Sequence, residues 1–240
     1  RRREQGRIEQ PVIVEERMKT YINSLDMGNT PFLQELESRA LADRVPIIRR
    51  DMQSFMRMLL AVKQPKRILE VGTAVGFSTL LMCEYGPKDL KIVTIENYEK
   101  RIPVAKDNFR RAGRESQITL LEGDAGEILK TLTGTFDMIT SNPPYIPTKV
   151  IEELEAEVRF HDPYEALDGK EDGLYFYRIL AEKVPEYLTD GGWLVMEIGY
   201  DQSADVEKLL KETGFEQVST QKDLAGLDRV VCGVYNRRSK

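Results

Sequence analysis

Two hydrophobic rhythms divide the chain. Through residue 63, apolar side chains recur three and four apart, the spacing of one helix face. Val14, Met18, Tyr21 and Leu25 predict a helix over 14–25. Asn29-Thr30 can cap a second helix over 29–44, with Pro31 in its first turn, where a missing N–H is harmless. Met52, Phe55, Met56 and Leu59 share one face of a third, over 47–63. At this spacing Met and Phe read as core. Residues 1–10 are strongly charged and read as a frayed end.

From residue 64 short apolar runs alternate with amphipathic stretches. The runs predict strands at 67–72, 91–96, 117–123, 135–141 and 193–199. Between them, helices are expected over 77–86, 98–113, 125–132, 171–192 and 203–214, with Pro185 kinking the fourth. Runs at 215–223 and 228–235 predict a closing antiparallel pair. Strand–helix alternation with apolar strands implies a parallel sheet covered on both faces. The expected fold is therefore α/β and Rossmann-like. It has a seven-stranded, mostly parallel sheet with an antiparallel last strand. A helical segment, 1–63, packs on a domain spanning 64–240.

Composition narrows the picture. At 240 residues and 41% hydrophobic, the chain can bury one large core. Its formal charge of −5 gives no global field that would attract nucleic acid. No run approaches the roughly 18 apolar residues of a membrane span, and no signal peptide is visible. Cys83 and Cys232 lie in apolar runs without metal-like spacing. They read as buried free thiols of a reducing cytosol. A single histidine, His161, argues against a histidine zinc site or a Ser-His-Asp triad.

The chemistry-bearing residues fall at strand ends, where open α/β sheets bind ligands. "EVGTAVGFST" (70–79) places Gly72 and Gly76 in a tight strand–helix turn. Glu96 ends the second strand, a position suited to ribose hydroxyls. Asp124 follows the third, able to cap a helix or to meet an adenine edge. "SNPPYIP" (141–147) follows the fourth. Its prolines end the strand in a stiff loop. A dinucleotide dehydrogenase would favour G-x-G-x-x-G, whereas 72–77 read G-T-A-V-G-F.

In this order the Gly turn, Glu96, Asp124 and Asn142-Pro143-Pro144-Tyr145 resemble a class I S-adenosylmethionine-dependent methyltransferase. The resemblance has two parts. Residues ~10–139, with "PKRILEVGTAVGFSTLLM", "TIENYEKR" and "GDAGEIL", resemble the caffeoyl-CoA O-methyltransferase-like family, which includes tRNA hydroxyuridine methyltransferases. Residues ~140–236, with "SNPPYIP", "EVRFHDPYEALDGKEDGLYFYR", "GGWLVMEIGYDQ" and "LDRVVCGVY", resemble the release-factor glutamine methyltransferases. A join near 139–141, natural or engineered, is the corresponding expectation.

The resemblance implies S-adenosylmethionine as cofactor and S-adenosylhomocysteine as product. Glu70, Gly72, Thr73, Gly76, Ser78, Glu96, Asn97, Asp124, Ala125 and Asn142 would surround the cofactor. Asn142, Pro143 and Tyr145 would act on the acceptor, with Pro144 and Arg159 lining its pocket. His161 and Asp162 would stand at its mouth. Metal-dependent O-methyltransferases carry Asp after strand four and Asp-Asn after strand five. Here those places hold Asn142 and Glu197-Ile198, too few carboxylates for a hard cation, so no metal is expected.

Three readings follow: N-methylation of a protein glutamine in a release factor; O-methylation of tRNA hydroxyuridine or a small hydroxylated substrate; and a chimera that binds cofactor without activity. Arg49, Arg50, Arg110, Arg111 and Arg114 would supply phosphate contacts for tRNA if they clustered. The first part also implies a homodimer through the N-terminal helices. The expected location is the cytoplasm.

Overall fold

The computed structural model describes residues 28–151 and 164–237. The expected helix over 14–25 lies outside them, as do Arg159, His161 and Asp162. Helix α1 (Pro31–Ala42) starts at its proline. Helix α2 (Arg50–Lys63) stops at Gln64, left-handed with φ 46°, before Pro65. It buries Met52, Met56, Leu59 and Leu60, while Phe55 packs at the edge of the same core.

The remaining elements alternate. They are β1 (Arg67–Val71), α3 (Phe77–Tyr85), β2 (Lys91–Glu96), α4 (Ile102–Arg111), β3 (Ile118–Glu122), α5 (Ala125–Thr131) and β4 (Phe136–Ser141). Two short helices, α6 (Thr148–Ile151) and α7 (Tyr164–Leu167), precede α8 (Tyr175–Lys183). Then come β5 (Leu188–Glu197), α9 (Ser203–Glu212), β6 (Phe215–Lys222) and β7 (Asp228–Tyr235). The strands form one sheet in the order β3-β2-β1-β4-β5-β7-β6. β1 to β5 are parallel. β7 runs antiparallel to both its neighbours, β5 and β6, which is the expected fold.

The central strands send alternate residues to opposite faces. Ile68, Met138 and Val195 join a core with α1, α2 and α3. Leu69, Ile139 and Leu194 join the other, with α8 and α9. Burying each such side chain contributes roughly 1.5–3 kcal/mol. Helices α1 and α2 thus share a core with the sheet. Cys83 and Cys232 are free and buried in that core, and burial pushes both thiols up to about 12.

One expectation fails in detail. Residues 171–192 are not one helix. Helix α8 ends at Lys183, Val184–Glu186 form a 3₁₀ turn with Pro185 in its opening positions, and β5 already begins at Leu188. Proline has no N–H for the α ladder. The following "TDGG" is a bulge: Phe136 pairs with Leu188 and Met138 with Trp193, with Gly191 at φ 73°. Across the sheet, the Asp137 carboxylate of β4 accepts the backbone N–H groups of Lys66 (2.8 Å) and Arg67 (3.0 Å).

Candidate active site

The strand order reverses between β1 and β4, and the site stands at their carboxyl ends, the position expected for a ligand. The turn after β1 is tied to β2: Gly72 and Thr73 both donate to the Ile95 carbonyl, at 3.0 and 3.2 Å. Gly76 caps α3 at φ 83°, and a Cβ there would stand 2.5 Å from the Phe109 ring. Gly72 differs. At φ 101°, its Cβ would meet open space.

Glu70 points from β1 into a buried hydroxyl cluster. Its carboxylate accepts from Ser78 (2.5 Å), Thr94 (2.7 Å) and Thr79. Since the single Thr94 proton goes to Glu70, the 2.6 Å contact between Thr73 and Thr94 has Thr73 as donor. Thr73 thus turns its hydroxyl inward, at 1% exposure. Burial pushes the Glu70 carboxyl up, opposed by the hydroxyl hydrogen bonds.

Glu96 is held by three backbone donors: Ala74 (2.6 Å), Asn97 (3.1 Å) and Tyr98 (2.9 Å). Of about four lone-pair sites on a carboxylate, one remains for a ligand. The Asn97 side chain is exposed. Asp124 caps α5, accepting from the Glu127 N–H at 3.1 Å, and Ala125 begins that helix against the core.

The loop after β4 is built rigidly. Ser141, its last strand residue, donates to the Val71 carbonyl at 3.0 Å. Asn142 is exposed at the cleft, Pro143 is buried, and Pro144 and Tyr145 are half-buried. Ile146 donates to Leu167 O (3.0 Å) and accepts from the Gly169 N–H (2.8 Å). Asp168 anchors this clip through Thr148 (2.6 Å) and Lys170 (2.9 Å).

Glu70, Gly72, Ser78 and Asn142 line one cleft, with Ile48, just before α2, and Met52 of α2 on its apolar wall. Glu96, which ends β2, and Asp124, two residues beyond β3, are not among its lining residues. A larger hollow of about 360 Å³ lies beyond Ile48, bounded by Arg49, Asp51 and Asp223.

The cleft also contains Glu197, absent from the expected site, at the end of β5 beside Asn142. Burial pushes its carboxyl up to about 7, opposed by the charges of Arg229 and Arg49 and reinforced by Asp51. Both arginines pair with Asp223, each at 3.1 Å. Burial and the Glu197 charge also push the Tyr145 phenol up. Glu197 is 55 positions from Asn142 in sequence. Only the parallel pairing of β4 with β5 joins them, and the strand-end position of "EIG" was the available signal.

The five arginines do not form a free phosphate patch. Each is paired: Arg49 with Asp223, Arg50 with Glu37, Arg110 with Asp107, Arg111 with Glu35 and Arg114 with Glu84. Among the described residues, no three Asp, Glu, His or Cys side chains gather as a metal site, and no helix is long and apolar enough to cross a membrane.

Comparison with known proteins agrees with this geometry. The O-methyltransferase family model matches residues 23–142. The release factor glutamine methyltransferase of Caulobacter vibrioides is 42% identical over 170 residues, covering 70% of this chain and 57% of that protein. That of Geobacter sulfurreducens is 40% identical over 166 residues, covering 69% and 57%. The chain therefore spans little more than half the length of these relatives. Matches this long cannot fit within 140–236, so they extend upstream across β4 and overlap the family match. The O-methyltransferase from Bacillus cereus, solved in complex with SAH, shares the fold at a TM-score of 0.66 and 15% identity, covering 90% of this chain and 96% of that one. With its Gly turn, strand-end carboxylates and β4 loop on this sheet, the chain belongs to the O-methyltransferase family and has the fold of a class I S-adenosylmethionine-dependent methyltransferase.

Proposed function

We propose that the chain transfers a methyl group from S-adenosylmethionine to a glutamine side-chain amide of a release-factor-type protein. The observation that carries this reading is the position of Asn142, one residue beyond β4 and followed by Pro143, in the cleft that also holds Gly72. The relatives' names point the same way. The site suits the cofactor chemically. Open space in front of Gly72 admits its chain, and the carboxylates of Glu70, Glu96 and Glu197 complement its cationic groups and ribose. When bound, the cofactor supplies an electrophilic methyl on a sulfonium.

The chain's own residues do the rest. An amide nitrogen is a poor nucleophile with two N–H donors. The Asn142 side-chain oxygen and the Pro143 carbonyl accept both and fix the nitrogen's direction. Such orientation contributes several kcal/mol, up to about 7–11 in well-aligned systems. The same acceptors stabilise the positive charge growing on the nitrogen. Tyr145 covers the flat amide and excludes water. A cytoplasmic location suits a release-factor substrate.

A second reading, transfer to a hydroxyl oxygen, is supported by the family match over 23–142 and by Glu197, whose carboxyl near 7 is suited to general-base work. Self-association through the N-terminal helices is supported by Met58 and Val62, 54% and 69% exposed one turn apart on α2. Methyl transfer from tritiated S-adenosylmethionine into cell extract, counted separately in protein and RNA, tests the main reading. Label in a release-factor-sized protein is expected. Label in RNA alone, or cofactor binding without transfer, would overturn it.

A further inference from the structure

Gln202 occupies the position before α9 and is 8% exposed. Its carboxamide bridges two strand exits. The oxygen accepts the Gly199 N–H at 3.0 Å, just beyond β5. The nitrogen donates to the Tyr145 carbonyl at 3.0 Å and the Gly173 carbonyl at 3.4 Å. Two glycines open the space for this bridge, and a third lets the Tyr145 backbone approach. A Cβ on Gly199 would stand 2.8 Å from the Gln202 oxygen, and one on Gly173 would stand 2.6 Å from its nitrogen and collide with the Tyr145 carbonyl. A Cβ on Gly169 would stand 2.8 Å from the Tyr145 backbone.

The bridge has a specific polarity. It needs an acceptor toward Gly199 and a donor toward Tyr145, which a primary carboxamide supplies from one flat group. Apolar filling of the same volume would leave the buried Gly199 N–H and Tyr145 carbonyl unpaired, which is costly. The loop of Asn142 thus has two fastenings: the Asp168 clip at Ile146–Thr148, and Gln202 at Tyr145, three residues from Asn142.

We propose that Gln202 is a positioning residue of the acceptor site, holding the Tyr145 carbonyl so that the Asn142 and Pro143 acceptors stay aligned beside Glu197. This rests on the reading that the loop receives the methyl acceptor. Hydrogen exchange followed by mass spectrometry tests the fastening without any acceptor. In Gln202→Ala, exchange at Tyr145, Ile146 and residues 169–175 should rise at least tenfold above the rise elsewhere, with cofactor affinity changed less than twofold. Unchanged exchange there, or an equal rise across the chain, overturns the proposal.

Kinetics adds the functional arm. Gln202→Ala should lower kcat 10- to 100-fold with little change in KM for S-adenosylmethionine. In Gln202→Glu, activity relative to the unaltered chain should recover as pH falls, because only the protonated carboxyl has an O–H for Tyr145. A flat ratio overturns the proposal. If the unaltered chain transfers no methyl group to a release factor, the acceptor reading fails, while the exchange comparison still decides whether Gln202 fastens the loop.

Discussion

Glu96, at the end of β2, accepts the backbone N–H of Ala74, in the turn after β1, at 2.6 Å. Ala74 is left-handed at φ 48°, a conformation that disfavours residues with a Cβ. The carboxylate therefore holds the turn as well as facing the ligand side of the sheet. Glu96→Ala is expected to weaken S-adenosylmethionine binding 10-fold or more and to lower stability by about 1.5–3 kcal/mol, the range for hydrogen bonds to charged groups. Titration calorimetry and urea melts check both. Unchanged affinity would remove Glu96 from the cofactor site.

Asn142 is exposed in the cleft and supports no core packing. Asn142→Ala should leave cofactor affinity within about twofold and cut methyl transfer by roughly 100-fold or more, the scale on which losing one transition-state hydrogen-bond partner is felt. Retained turnover would sink the amide-acceptor mechanism.

Gly72 and Gly76 separate stability from binding. Gly76→Ala adds a Cβ 2.5 Å from Phe109 at φ 83° and should destabilise by about 1–3 kcal/mol. Gly72→Ala meets no atom within 4 Å. It should cost only the strain of a left-handed residue, about 1–2 kcal/mol, yet weaken the cofactor, because its methyl enters the cleft. Paired melts and calorimetry distinguish these outcomes.

Glu197 couples stability to pH. Its carboxyl lies near 7 in the fold against an ordinary 4.5, so folding favours the protonated form. Its contribution is full below about 4.5 and is lost as pH rises through about 7. Glu197→Gln should match the parent near pH 4 and exceed it near pH 8 by roughly 1–3 kcal/mol, the scale of a shift of this size. Urea melts at the two pH values measure the difference. A constant difference would contradict the half-buried, shifted carboxyl.

The sheet was legible because its signals are local. Ile68-Leu69 and Met138-Ile139 carry the alternation of a two-faced core, and Gly76, Glu96, Asp124 and Asn142 stand at strand ends that the periodicity locates. What escaped is long-range. Gln202 meets Tyr145 across 57 residues, and Glu197 reaches the cleft only through strand pairing. The glycines at 173 and 199 look like turn residues in sequence, while their use is to admit a carboxamide. Thr73 sits in the same turn as Gly72, but its hydroxyl completes the cluster around Glu70. The β5 bulge escaped for a further reason: "VPEYLTDGG" has helix-compatible residues on both sides of Pro185, and only pairing with β4 decides where the strand begins.

Because β7 runs antiparallel, its opening residues lie at the carboxyl end of β5, and this brings Arg229 to Glu197. A parallel strand would have delivered its closing residues instead. During synthesis, then, the turn after β1, the acids of β2 and β3 and the β4 loop all emerge long before Arg229, which offsets Glu197 more than Arg49 does. The cleft acquires its final charge balance only when the last unit of chain order, the β6–β7 hairpin, has closed, so the same late step that finishes the sheet also finishes the chemistry.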